Sequence, residues 1–78
     1  MSRSISRFHD WTVSPDMEPD REPDQYAAQC AVCEERSADV DTPEKAREWI
    51  FAHAGKNPSH HTYRGISVHP LRAWREKV

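Results

Sequence analysis

Seventy-eight residues, 36% apolar and 31% charged, make one small domain with a thin core, since a chain of this size buries only about 60% of its unfolded surface. No run approaches the roughly 20 apolar residues of a membrane span, and the opening Met1-Ser2-Arg3-Ser4-Ile5 lacks the apolar stretch of a secretory signal, so the expected setting is the cytoplasm, with reduced thiols and no membrane contact. The net charge of −2 divides unevenly: residues 1–41 carry four Lys/Arg against ten Asp/Glu, and residues 42–78 seven against three, read first as attraction between two halves of one fold and second as a basic surface for an anionic partner.

The first predicted element is a strand over Arg7–Val13, where Trp11 and Val13 alternate with polar neighbours; Phe8 falls on the opposite parity, which leaves the start of the strand open. Ser14 to Asp24 repeats a Pro-Asp unit at Pro15, Pro19 and Pro23. Proline at every fourth position removes donors and forbids helix, so residues 14–24 read as an extended, solvated acidic loop within the domain. Its acids lack the glycine turn and alternate spacing of a calcium loop.

Gln25–Cys30 reads as a second strand that delivers Cys30 into the tight turn Cys30-Ala31-Val32-Cys33, with Asp39-Val40 a brief extended piece. The clearest element is a helix over about residues 43–54. Thr42 suits the N-cap, Pro43 the first helical position and Glu44 the positive end. Ala46, Trp49, Ile50 and His53 share one face, Gly55 fits the stop, and Asn57-Pro58 prevents resumption. Thr62–Val68 reads as a further strand in which Gly65 suggests a bulge. The tail from Leu71 suits either a helical turn or a final strand. The expected fold is a small α+β domain, with a short antiparallel sheet of two to four strands packed on one helix.

A polar chain this small needs a staple, whether disulfide, metal or partner. Two cysteines and five histidines make a metal the first to consider. Structural zinc takes four ligands in a tetrahedron, commonly thiolates and imidazoles. The Cys30-x2-Cys33 knuckle lets both sulfurs face one point, and His53 points inward with Trp49 and Ile50. The fourth ligand comes from His60 or His61, between which spacing alone does not decide; His9 and His69 read as surface or strand histidines. With His60 the spacing is Cys-x2-Cys-x19-His-x6-His, wider than that of the DNA-reading finger, and the helix ends between the two histidines. One zinc ion per chain is therefore expected. A redox reading of the cysteine pair is weaker, because Glu34-Glu35-Arg36-Ser37 does not open an apolar helix, and the two glutamates would raise the thiol pKa.

Arg7-Phe8-x2-Trp11-x-Val13, Glu18-Pro19, Tyr26-x3-Cys30-x2-Cys33, Ser37, Ala46-x2-Trp49-x3-His53 and Asn57-Pro58-x-His60-x2-Tyr63-Arg64 together resemble an uncharacterised family of small actinobacterial, streptomycete-type proteins known only as a domain of unknown function. In that family the last histidine stands three residues before an aromatic residue and an arginine. The resemblance thus implies His60, ahead of Tyr63 and Arg64, as the fourth ligand. It implies no activity.

Three roles compete. The first is a non-enzymatic interaction module whose partner is another protein. Trp49 and Trp11 are expected in its core, and Trp74, with Arg64, Arg72 and Arg75, forms the candidate binding surface, unless Trp74 merely closes the core. The second is nucleic-acid binding through the basic half, with Lys45, Arg47, Lys56 and Lys77 added, against which stand the acidic N-terminal half and the net negative charge. The third, a metal enzyme, is set aside: neither H-E-x-x-H nor the deaminase H-x-E occurs, and no small-molecule substrate is evident.

Overall fold

The computed structural model describes residues 5–75. Among them run strands β1 (Ser6–Phe8), β2 (Trp11–Pro15) and β3 (Gln25–Cys30), helix α1 (Pro43–Lys56), and strands β4 (Tyr63–Val68) and β5 (Leu71–Arg75). The architecture is α+β, but the strands form two antiparallel sheets where one was expected, ordered β1-β2-β5 and β3-β4. The prolines at 15, 19 and 23 cannot donate to a ladder, so β2 and β3 do not join as a hairpin. The chain falls into two compact units, one containing β1, β2 and β5, the other Asp24–Val68.

In the first unit, the single strand expected over residues 7–13 is a hairpin. His9 sits in the left-handed region at φ 56°, a conformation histidine enters more readily than most side chains, and the chain reverses through His9-Asp10. The reversal accounts for the parity of Phe8, which pairs with Trp11 and so shares its face. The tail is a strand, pairing Leu71–Arg75 with β2.

The acidic loop expected over residues 14–24 begins later and is less solvated than its composition suggests. Ser14 and Pro15 belong to β2, and Asp16 is buried. Its carboxylate accepts from the Glu18 N–H at 3.0 Å and from the Arg72 guanidinium at 2.9 and 3.3 Å, while Arg72 also reaches Asp20 at 2.6 Å. The Arg72 hydrogen bond, followed by the Glu18 N–H, holds the Asp16 carboxyl below its ordinary pKa.

In the second unit β3 is central. Tyr63–Val68 pairs along one edge in unbroken register through Ala28 and Gly65, without the expected bulge. Residues 35–40 return along the other edge through Glu35, Arg36, Ser37 and Val40. Cys30 N–H donates to Glu35 O at 2.8 Å, Ala28 N–H to Ser37 Oγ at 2.9 Å, and Tyr26 and Val40 exchange two backbone bonds of 2.7 Å. Thr42 caps α1 by accepting from Lys45 N–H at 3.2 Å, and Pro43 follows it. The helix runs through Gly55, which keeps a negative φ, to Lys56. There Asn57 ends it by donating both its backbone N–H and its side-chain amide to His53 O, at 2.9 and 3.0 Å.

The buried apolar residues, Ala27, Ala28, Cys30 and Ala46, are all small, and a cleft of about 370 Å³ remains between α1 and the β3–β4 sheet. So small a core contributes little hydrophobic stabilisation. Trp49 is half-buried, but Trp11, expected inside, is 44% exposed, nearly as much as Trp74.

Candidate metal centre

Each of the four donors expected from the sequence is placed by a different piece of the second unit. Cys30 closes β3, where its side chain is fully buried. Cys33 lies three residues on, at the exposed rim of the turn. Glu34, directly after it, takes φ 70° and donates its N–H to Cys30 O at 2.9 Å, which folds the knuckle back on itself. Ala31 N–H donates to Thr62 O at 2.8 Å and ties the knuckle to the approach to β4. His53 is buried in the last turn of α1, and His60 follows the Asn57-Pro58 turn with its N–H on Asn57 O at 2.8 Å.

These elements bring Cys30, Cys33, His53 and His60 together, with one donor atom from each lying within 4.8 Å of the others. Cys30 Sγ is 3.5 Å from His60 Nδ1, Cys33 Sγ is 3.5 Å from His53 Nε2, and the two ring nitrogens are 3.3 Å apart. His53 thus offers Nε2 and His60 offers Nδ1. His61 is exposed and outside the cluster. Two thiols and two imidazoles at these separations can bind one metal ion.

The chain belongs to the DUF7848 family. The family model, described as a domain of unknown function, matches residues 1–78. No curated protein matches the sequence, and no solved structure does.

The surroundings of the DUF7848 cluster favour deprotonation of one thiol. Burial raises the pKa of Cys30, but the backbone N–H groups of Cys33 and Val32 and the Cys33 thiol outweigh it and hold Cys30 below the ordinary value. Cys33 stands above its ordinary value. The Glu35 N–H works downward there, yet burial, the Cys30 thiol and the Glu35 carboxylate prevail.

Aromatic rings wall the site. Trp49 stacks on His53 with centroids 4.8 Å apart, and Tyr63 meets His53 edge-on at 5.9 Å. Among the described residues, the buried Tyr63 Oη has no hydrogen-bond partner; burial first, and then the two cysteines, raise its pKa. Sequence reasoning missed one contributor. Glu35 Oε1 lies 3.5 Å from His53 Nδ1, the nitrogen turned away from the other donors. Its signal was its place two residues past Cys33, in the segment that returns along β3.

The candidate binding residues fall in both units. Arg64 lies on β4, paired with Glu34 at 3.3 Å. Arg72, Trp74 and Arg75 lie on β5, with Arg72 on Asp16 and Arg75 on Asp10 at 2.7 Å. Among the described residues, no helix is long and apolar enough to cross a membrane.

Proposed function

We propose that this chain is a cytoplasmic structural-zinc domain serving as a non-enzymatic protein-interaction module, of the actinobacterial Cys-x2-Cys…His…His kind that its sequence resembles. The carrying observation is the shape of the donor set. Tetrahedral zinc with Zn–S of about 2.3 Å and Zn–N of about 2.0–2.1 Å requires S···N edges of about 3.6 Å and an N···N edge of about 3.3 Å. Two of the four S···N separations are 3.5 Å, the N···N separation is 3.3 Å, and the remaining edges lie within 4.8 Å. Four protein donors close the coordination sphere, whereas a catalytic site keeps one position for water, which supports a structural ion.

The nucleic-acid alternative has weaker support. Arg64, Arg72 and Arg75 each hold an acid of this chain, and phosphate would have to displace Glu34, Asp16 or Asp10. Native mass spectrometry before and after chelation, with far-ultraviolet circular dichroism alongside, tests the zinc reading. One zinc per chain, with structure lost on its removal, supports it; a stable metal-free fold overturns it. Binding to a nucleic acid with a steep salt dependence would move the role to the alternative.

A further inference from the structure

The β1-β2-β5 sheet carries most of its apolar side chains on one face, and that face is largely exposed. By register and alternation, Ser6, Phe8, Trp11, Val13, Pro15, Leu71, Ala73 and Arg75 share one face, while Arg7, Thr12, Ser14, Arg72 and Trp74 share the other. An antiparallel sheet with one solvated face ordinarily turns its apolar set inward. Here Thr12, on the mostly polar face, is 4% exposed, whereas Phe8 and Leu71 on the apolar face are 73% and 63% exposed. A contiguous apolar face of this kind marks an interaction surface.

Two properties select its occupant. The face carries no net charge among the described residues: its single cation, Arg75, is held by Asp10 at 2.7 Å. An uncharged face meets its own copy without repulsion, as an isologous contact requires. Its area also fits. With aromatic side chains offering about 150–250 Å² each, Phe8, Trp11, Leu71 and their neighbours present roughly 500 Å². Two copies would bury about 1,000 Å², the lower bound for a specific interface.

We propose that the chain is a homodimer in which the Phe8–Trp11–Leu71 faces of two copies pack sheet on sheet. Two three-stranded faces stack about 10 Å apart, with Trp11 and Val13 of each central strand in the middle and Phe8 and Leu71 toward the sides. The dimer names the partner for the interaction role proposed above and rests on that reading.

The test is sedimentation equilibrium of the metal-loaded full chain at about 50 µM, in the range of a small interface, with metal content measured on the same samples. The expected result is a mass twice the chain's 9.1 kDa. Leu71→Glu and Phe8→Glu, at separate exposed positions of the face, should each give a monomer that keeps its metal; the second variant decides should the first fail to fold. A monomeric wild type, or a dimer that survives both charges, overturns the dimer while leaving the zinc reading intact. Absence of bound metal in the wild type would instead overturn the zinc reading, whatever the mass.

Discussion

Glu35 Oε1 approaches His53 Nδ1 at 3.5 Å while His53 Nε2 faces Cys33 Sγ at the same distance, so the carboxylate and the thiol address opposite nitrogens of one ring. A carboxylate on the far nitrogen favours the tautomer with its proton on Nδ1 and leaves the Nε2 lone pair for a metal. Removing such a partner typically costs 10–100-fold in metal affinity. Because Glu35 is exposed and the contact long, Glu35→Ala should lie at the low end, about tenfold, read by competition against a chelating dye. Glu35→Gln, which can still accept a hydrogen bond through its amide oxygen, should lose less. Equal affinity in all three proteins would dissociate Glu35 from the site.

The two histidines after the helix provide a sharper contrast. His60 is in the cluster and His61 is outside it. Where metal-binding energy is folding energy, loss of a ligand removes the fold. Cys30→Ser, His53→Ala and His60→Ala should each give an unfolded far-ultraviolet spectrum at neutral pH, whereas His61→Ala should unfold at the wild-type temperature. A destabilised His61→Ala beside a folded His60→Ala would reassign the fourth position.

Three of the four candidate donors were legible in local constraints, a two-residue gap between the thiols and a helical period that puts His53 with Trp49 and Ile50, whereas spacing left His60 and His61 open and the family resemblance alone pointed to His60. The helix start was equally plain, since Thr42-Pro43 combines two position-specific signals. The hairpin was hidden, because His9-Asp10 has none of the usual turn dipeptides and its reversal depends on a left-handed histidine. Trp11 was expected inside on composition alone. The side chains that share its face are set by cross-strand register with β5, a pairing between residues more than 55 positions apart that alternation cannot reveal. Glu35 was hidden for the same reason, since its approach to His53 requires the return of residues 35–40 along β3.

Thr42 links helix capping to metal affinity. Its Oγ1 accepts the Lys45 N–H at 3.2 Å, at the other end of the helix that carries His53. Thr42→Ala should destabilise by about 1 kcal/mol. If the metal-free chain is unfolded, the same free energy appears in binding, as an apparent affinity about fivefold weaker. Thr42→Ser should restore both. A lower unfolding temperature with unchanged affinity would show that the helix forms without metal.

Asp16 and Arg72 make the acidic segment part of the first unit. The Asp16 pKa is lowered chiefly by the Arg72 hydrogen bond, so this pair stabilises the fold at pH above the ordinary carboxylate value of 3.8 and loses that effect as pH falls through the lower folded value. Arg72→Met should raise the Asp16 pKa toward 3.8, seen in the carboxyl carbon resonance. It should also speed exchange of the Glu18 and Arg21 amides, which donate to Asp16 Oδ1 and Glu18 O. Unchanged exchange would mean that the turn holds itself without the arginine.

Tyr63 presents the opposite case, a polar atom whose removal should help. Its Oη is buried without a partner among the described residues, and burial is the first cause of its raised pKa. A buried hydroxyl that lost water and gained no hydrogen bond destabilises the folded chain, while its ring still packs against Trp49 and His53. Tyr63→Phe keeps the ring and removes the orphan. It should raise the unfolding temperature of the metal-loaded chain by a few degrees and leave metal affinity no weaker. A clear loss of affinity would mean that Oη gains a partner when the metal binds, most simply a thiolate of Cys30 or Cys33, whose charges already bear on it. Tyr63→Phe therefore distinguishes a packing ring from a hydrogen-bond donor to the metal site.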